Sequence, residues 1–310
     1  MKAIHMGYQL PPFAFEGLDR LELERDNSAA MKSRFSHPSA RFLPIWRQQI
    51  MVNADRNAMV TLDAVPADVS KKPILLGDLG GVPYLSVDVS ELPPSDLESN
   101  SPPLLSELGQ FVMPRTISPT LLAFDMGITA LALHFSAWDQ VSQYCGRCGH
   151  QTQPRQGGVS RVCCDQDCGE VLFPRINPAV IMLIRDRTDE HIILGKSPHL
   201  PTGMATVLAG YLSPGETLIQ AVKRETMEEV GVEVGDVNYF GSQPWAYSSS
   251  LMVGFTAVAE STELTINPAE LSHADWYSRA QIRELQARDA IRLPTGFSIA
   301  RLLINAWLGD

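Results

Sequence analysis

The chain has 310 residues, 45% of them hydrophobic, and carries 35 acidic residues against 25 Lys and Arg for a net charge of −10. That length suggests about two domains with a real core, and the acidic balance argues against broad, sequence-independent nucleic-acid binding, which needs a cationic surface. Recognition of a single nucleotide in a pocket stays open. No run reaches the ~18 apolar residues of a membrane span, and the start, MKAIHMGYQLPPF, lacks the apolar segment of a signal peptide, so a soluble, cytoplasmic protein with no membrane partner is expected.

In chain order, residues 1–140 read as a mixed domain. Strand-like stretches cover 40–46, 49–52, 72–77 and 82–87, with Gly80-Gly81 as a turn between the last two. The Pro- and Ser-rich stretch 91–103 reads as a surface loop. Residues 119–138 have helical periodicity and lead into a cysteine cluster. All five cysteines fall between 145 and 168. A secreted disulfide protein would spread them and usually hold an even number. Cys145-x₂-Cys148 and Cys163-x₄-Cys168 form two pairs separated by fourteen residues. Four thiolates in two close pairs give Zn²⁺ a closed tetrahedral site, with no open position for catalysis. Cys164 can replace Cys163 with x₃ spacing; Cys163 is the preferred third ligand. Residues 141–172 thus read as a zinc ribbon, too small for a large core without its metal.

Residues 173–310 form the third part. Strands are expected at 179–184, 192–194, 205–211, 237–242 and 251–259, and helices at 279–288 and 297–308. Between them lies GYLSPGETLIQAVKRETMEEVGV, residues 210–232. Glu225, Glu228 and Glu229 share one face of a helix. Like charges at this spacing cost roughly 0.2–0.5 kcal/mol per pair unless something neutralises them. A hard divalent cation does so, because carboxylate oxygens suit Mg²⁺ or Mn²⁺. Three glutamates alone read as a solvated acidic helix. The rest of the string says otherwise. Ile219, Val222, Thr226 and Val230 make a core-facing stripe beside the acidic face. Pro214-Gly215 makes a turn before the helix, and Gly231 sits where a left-handed cap belongs.

The stretch resembles the Nudix box, the metal-binding loop and helix of Nudix hydrolases, at every fixed Gly, Glu and Arg. Thr226 departs from the usual aliphatic residue and is expected to affect packing more than chemistry. The resemblance implies an α/β fold: a Nudix α/β/α sandwich with a mixed sheet at 173–310, preceded by the zinc ribbon and an N-terminal α+β domain.

A zinc ribbon directly upstream, and Ser242-Gln243-Pro244-Trp245 downstream, are similar to the NADH pyrophosphatases, which also remove NAD caps. ARFLPIWR at 40–47, ALALHFSAW at 130–138, FPRINPAVIMLI at 173–184 and VLAG at 207–210 carry the likeness further. The family continues SQPW with Pro-Phe-Pro; here Ala246-Tyr247-Ser248 stand instead, followed by Ser249, Ser250, Leu251 and Met252. Trp245 and Tyr247 suit a ring-binding wall, and Gln243 and Ser248, Ser249 and Ser250 can hydrogen-bond a heterocycle or ribose. On its own the segment reads as a core Trp and a polar loop. Loss of the prolines is expected to loosen the loop and weaken substrate preference.

The resemblance implies further roles. Glu225, Glu228 and Glu229 hold the catalytic metal, joined by the Ala209 carbonyl and Glu270. Arg224 orients the acidic side chains. Phe173, where the family often has Tyr, and Ala300 lie at the substrate. The implied reaction is hydrolysis of the NADH or NAD⁺ diphosphate to nicotinamide mononucleotide and AMP. Runners-up are the 5′ NAD cap of RNA and ADP-ribose. A different class would be a silent NAD(P)-sensing or nucleic-acid-binding protein. The family also implies structural zinc and a homodimer.

Overall fold

Hydrophobic residues come in short extended runs up to residue 112, then in one long helical pattern, and the chain folds accordingly. In the computed structural model the described residues are 13–309, apart from 57, 95–101, 103–104, 117–120, 122 and 199. Contacts divide the chain into two units, Phe13–Arg175 and Ile176–Asp310. The first unit therefore holds both the expected N-terminal domain and the ribbon.

In the first unit, α1 (Ser28–Phe35) starts at Asn27, whose side chain accepts from the Ala29 and Ala30 N–H groups. Strands β1 (Arg41–Trp46) and β2 (Gln49–Val52) form a hairpin. Arg47 and Gln48 turn it with φ of 50° and 61°, the left-handed pair that a two-residue hairpin of this twist requires. Strands β3 (Ile74–Leu79) and β4 (Val82–Asp88) form a second hairpin through Gly80-Gly81, as expected. β5 (Gln110–Val112) pairs with β2, and β4 runs parallel to β1, giving the mixed order β3-β4-β1-β2-β5. Helix α2 (Ala123–Val141) packs on β1, β3 and β4. It continues three residues past the expected end at Trp138, and the expected start at 119 lies outside the described residues. Much of the 91–103 loop also lies outside them; Leu92, at its start, is buried rather than on the surface, and its carbonyl accepts from Trp46 Nε1. α1 and β5 were not foreseen.

The ribbon is a three-stranded antiparallel sheet, β6 (Thr152–Arg155), β7 (Ser160–Cys163) and β8 (Val171–Leu172). Arg161 is buried in it. Its guanidinium donates to the Thr152 hydroxyl and carbonyl and ion-pairs with Asp139 of α2, so the buried charge is neutralised.

In the second unit, β9 (Asn177–Arg185) explains the layering. Its continuous apolar run is the mark of a strand covered on both faces. Val180, Met182 and Ile184 face one cluster and Ile181 and Leu183 the other, as a period of two demands. The strands are β10 (His191–Lys196), β11 (Leu208–Tyr211), β12 (Val234–Trp245), β13 (Ser250–Ala259) and β14 (His273–Ser278). The sheet order is β12-β13-β9-β10-β14, with β11 also on β9. β9 and β13 are parallel and the other pairs antiparallel. Helix α3 (Leu218–Val230) covers one face through Ala221, Val222 and Val230. α4 (Arg279–Ala287) and α5 (Ile299–Leu308) cover the other, through Ile282, Leu303, Ile304 and Trp307. This is the expected α/β/α sandwich with a mixed sheet. Two details differ. Ile219 is 49% exposed, and Ala221 takes its place in the core stripe. Strand β14 was not foreseen. Thr226 is fully buried, and its hydroxyl donates to the Val222 carbonyl one turn back, so the polar atom is satisfied within the helix.

Among the described residues, no helix is long and apolar enough to cross a membrane.

Candidate active site and metal centres

The acidic site is built where β11 turns into α3. Gly215, with φ of 88°, takes the left-handed conformation in the turn, and Ser213 N–H donates to the Glu216 carboxylate across it. Thr217 and Gln220 form a capping box, which satisfies donors at the first turn of α3. Gly231 ends the helix at φ 71°. Both the turn and the cap stand where expected.

Gly210 is required by space. A Cβ there would lie 1.9 Å from Glu225 Cδ, so the carboxyl of α3 rests directly on the β11 backbone. Glu225 and Glu229 are one helical turn apart and 7% and 3% exposed. Glu270 joins them from a loop tied to the helix end, where Asn267 N–H donates to the Glu229 carbonyl. Carboxylate oxygens of Glu225, Glu229 and Glu270 lie within 4.8 Å of one another. Burial first, then the charges of Glu225 and Glu270, pushes Glu229 up to about 8. The Ala209 N–H, which hydrogen-bonds this carboxyl, works in the other direction. Burial also raises Glu225. Three converging carboxylates, two of them buried, are the donor set of a hard divalent cation, so the residues fit one.

Glu228 does not join the three. It is half exposed and accepts from Arg224 Nη1 at 2.8 Å. Arg224 also donates to Glu216 at 2.5 and 2.9 Å, to Glu225 at 2.8 Å and to the Tyr211 carbonyl at 3.0 Å. One guanidinium thus fixes the turn, the strand end and two box glutamates. Its hydrogen bonds to the Glu216 carboxylate, joined by that of the Ser213 N–H, take Glu216 down to about 2.

The expected recognition residues separate into two groups. Trp245, at the end of β12, meets the Tyr247 ring edge-on at 5.0 Å and stacks on Phe297 at 6.2 Å and 19°. Ser248 and Ser250 hydroxyls are 2.8 Å apart, and the Ser250 hydroxyl is 3.4 Å from the phenol oxygen of Tyr211. Asn177 donates to the carbonyls of Ser248 and Ser249. These hydrogen bonds tie the loop to β9 and β11 at the positions where the prolines are missing.

Gln243 belongs to a second group. It is fully buried; its amide donates to the Phe297 carbonyl at 2.7 Å and accepts from the Ile299 N–H at 2.8 Å. Both ends of the amide brace the start of α5, so this side chain is a strut rather than a ligand contact. Ala300 is likewise buried, within the core under α5. Phe173 is 65% exposed and belongs to the first unit. Tyr211 and Phe297 were missed by sequence reasoning. Phe297 precedes the Ser298 cap, where an apolar residue reads as a helix staple.

In the ribbon, the sulfurs of Cys145, Cys148, Cys163 and Cys168 lie within 4.8 Å of one another. Cys145–Cys168 and Cys148–Cys163 are 3.8 and 3.4 Å apart. A tetrahedron with Zn–S of about 2.3 Å has edges of about 3.8 Å, so the four sulfurs fit zinc. Cys164 is exposed and stands outside this group.

Comparison with known proteins gives three consecutive matches. They are the NADH pyrophosphatase-like rudimentary NUDIX domain over residues 39–138, the NADH pyrophosphatase zinc ribbon domain over 142–173 and the NUDIX domain over 175–295. The chain belongs to the Nudix hydrolase family, in the group that carries the NADH pyrophosphatase zinc ribbon. It is 37% identical over 188 residues to the NAD-capped RNA hydrolase NudC of Escherichia coli, covering 60% of this chain and 68% of that one. For NudC of Haemophilus influenzae the identity is 41% over 169 residues, covering 54% and 60%. For the NAD-capped RNA hydrolase NUDT12 of Macaca fascicularis it is 38% over 193 residues, covering 59% of this chain and only 42% of the relative's length.

Proposed function

We propose that the chain is a pyrophosphohydrolase that uses Mg²⁺ or Mn²⁺ and water to cleave the diphosphate of NAD(H), giving nicotinamide mononucleotide and AMP. The observation that carries this is the convergence of the exposed Glu270 on the buried carboxylates of Glu225 and Glu229, with Glu225 lying over Gly210. The all-oxygen donor set suits these cations rather than softer ones. The Ala209 carbonyl is a further proposed ligand, while Glu228, held by Arg224, stands beside this group and outside it. A bound cation there supplies polarisation of the phosphoryl oxygens and offsets charge developing in the transition state. Arg224 keeps Glu225 and Glu228 aimed, so little reorganisation is needed when substrate arrives. Trp245, backed by Phe297, offers a ring for stacking, and Ser248 to Ser250 offer hydroxyls for a ribose or amide. Retention of every box glutamate disfavours a silent sensor.

The 5′ NAD cap of RNA is proposed as a substrate of the same site, because relatives of this chain bear that activity in their names. The division into domains 1–140, 141–172 and 173–310, structural zinc at the four cysteines, a homodimer and a cytoplasmic setting belong to the same reading and rest on the family likeness. The test is kcat/KM for NADH, NAD⁺, ADP-ribose and a NAD-capped oligonucleotide with the purified chain. NADH or the cap should lead. An enzyme that ignores both and cleaves another diphosphate would contradict the substrate assignment.

A further inference from the structure

The first unit contains a cavity of about 500 Å³ that neither metal centre uses. One wall is a single face of α1: Ser28, Met31, Lys32 and Phe35, spaced i, i+3, i+4 and i+7. The opposite wall is the tip of the ribbon hairpin, residues 154–158, and Lys72-Pro73 closes one side. Residue 157 at the hairpin tip is a glycine in the left-handed region, packed close to α1. Its φ is 73°, and a Cβ would sit 3.2 Å from Met31 Sδ and 3.3 Å from Arg25 Nη1.

The electrostatics of this cavity run against those of the whole chain. Four cations line it, Arg25, Lys32, Lys72 and Arg155, against one carboxylate, Asp26. Arg25 is only 4% exposed, and its guanidinium donates to the carbonyls of Arg20, Leu75, Leu76 and Gln156. Carbonyls hold it in place and carry no charge, and its ion pair with Glu22 is long, at 4.0 Å, to a carboxylate that is 78% exposed. Asp26 sits on the rim, 3.8 Å from Arg155 and 3.1 Å from the Gln156 amide. A fixed buried cation, with flexible Lys32 and Lys72 at the mouth, favours an anion of more than one charge. Met31, Phe35, Pro73 and Pro154 supply apolar surface, with one aromatic ring among them, beside those charges. Phosphate next to a flat ring is the chemistry that satisfies both, and the volume suits a small ligand.

We propose that this cavity is a second ligand site, for the phosphoryl group and base of a free mononucleotide. The zinc ribbon forms one of its walls, so zinc is a condition of binding. The proposal stands apart from the hydrolytic reading, since it uses no residue of the carboxylate site.

The experiment is calorimetric titration of AMP into the full zinc-loaded chain carrying Trp245→Ala and Glu229→Gln, which disable the other site. One AMP per chain should bind. Lys32→Glu with Lys72→Glu in that background should weaken it about tenfold or more, from the loss of charge-assisted contacts. Inorganic phosphate should compete and adenosine should not. Both lysines are exposed, and zinc content and melting temperature check that the charge reversals leave the fold intact. In the otherwise native chain the lysine variants should leave NADH turnover unchanged. AMP affinity indifferent to the lysine changes, or no AMP binding in the millimolar range, overturns the proposal. A 5′-phosphorylated single-stranded oligonucleotide that binds where AMP does not overturns the free nucleotide as occupant.

Discussion

Gly210 and Glu225 occupy the same space: the carboxyl of Glu225 fills the volume that any side chain at position 210 would take. The glycine of the box is therefore a cradle for a carboxylate, not a flexible turn. Gly210→Ala should push Glu225 out of line with Glu229. The clash is with the end of a side chain, so the fold should survive with a loss of ~1–3 kcal/mol. Hydrolysis should fall far more steeply. Thermal melts alongside turnover check this; an active Gly210→Ala would contradict the geometry.

Glu229 gives a pH dependence. Its folded value of about 8 lies above the ordinary 4.5. Without a divalent cation at the carboxylates, the folded chain keeps a proton that the unfolded chain releases. This contribution to stability is complete below about 4.5 and is lost as pH rises to about 8. Glu229→Gln removes it. Melting temperatures of the two proteins, with zinc retained and no other cation, should diverge toward alkaline pH, with the variant the more stable. Added Mg²⁺ or Mn²⁺ should raise the wild-type melt most at high pH, where it has no proton to displace. Parallel pH profiles would count against the buried carboxylate group.

The ribbon predicts a contrast between adjacent cysteines. Cys163→Ser should lose zinc and melt earlier, because metal binding is part of folding there. Cys164→Ser should keep one zinc per chain and melt like wild type. Zinc content by atomic absorption decides it, and the reverse pattern would exchange the ligand assignment.

Gln243 and Trp245 are two positions apart and should behave differently. Gln243→Leu leaves the Ile299 N–H and the Phe297 carbonyl without their amide partner, at about 1–3 kcal/mol for each buried group left unpaired, and should lower the melting temperature. Trp245→Ala should cost about 1–3 kcal/mol in kcat/KM if the ring stacks on substrate, with a smaller effect on melting. Equal effects of the two changes on both readouts would remove the distinction between strut and wall.

The box and both cysteine pairs could be read from the chain because each is written in contiguous residues, whereas the layered sheet came from the family likeness. Glu225 and Glu229 sit one turn apart. The remaining features depend on tertiary contacts. Glu270 is forty-one residues from Glu229, and only family likeness pointed to it. Phe297 backs Trp245 across fifty-two positions. β14, HADWYS, mixes charge with aromatics and has no β-branched residue, so its propensity was weak. Ile219 misled because, in the first turn of α3, it stays half exposed, and Ala221 serves the core with less volume. Gln243 misled because a polar side chain in a recognition motif can be spent on backbone groups.

The central claim is that Glu225, Glu229 and Glu270 bind the cation that cleaves a diphosphate. Its most direct test is NADH turnover against Mg²⁺ or Mn²⁺ concentration for wild type, Glu229→Gln and Glu270→Gln, each checked for zinc content and melting. The account predicts no turnover without added cation, a fall of orders of magnitude for Glu229→Gln, and a higher cation requirement for Glu270→Gln. Near-wild-type turnover in Glu229→Gln, with cation dependence verified in the native chain, would contradict it.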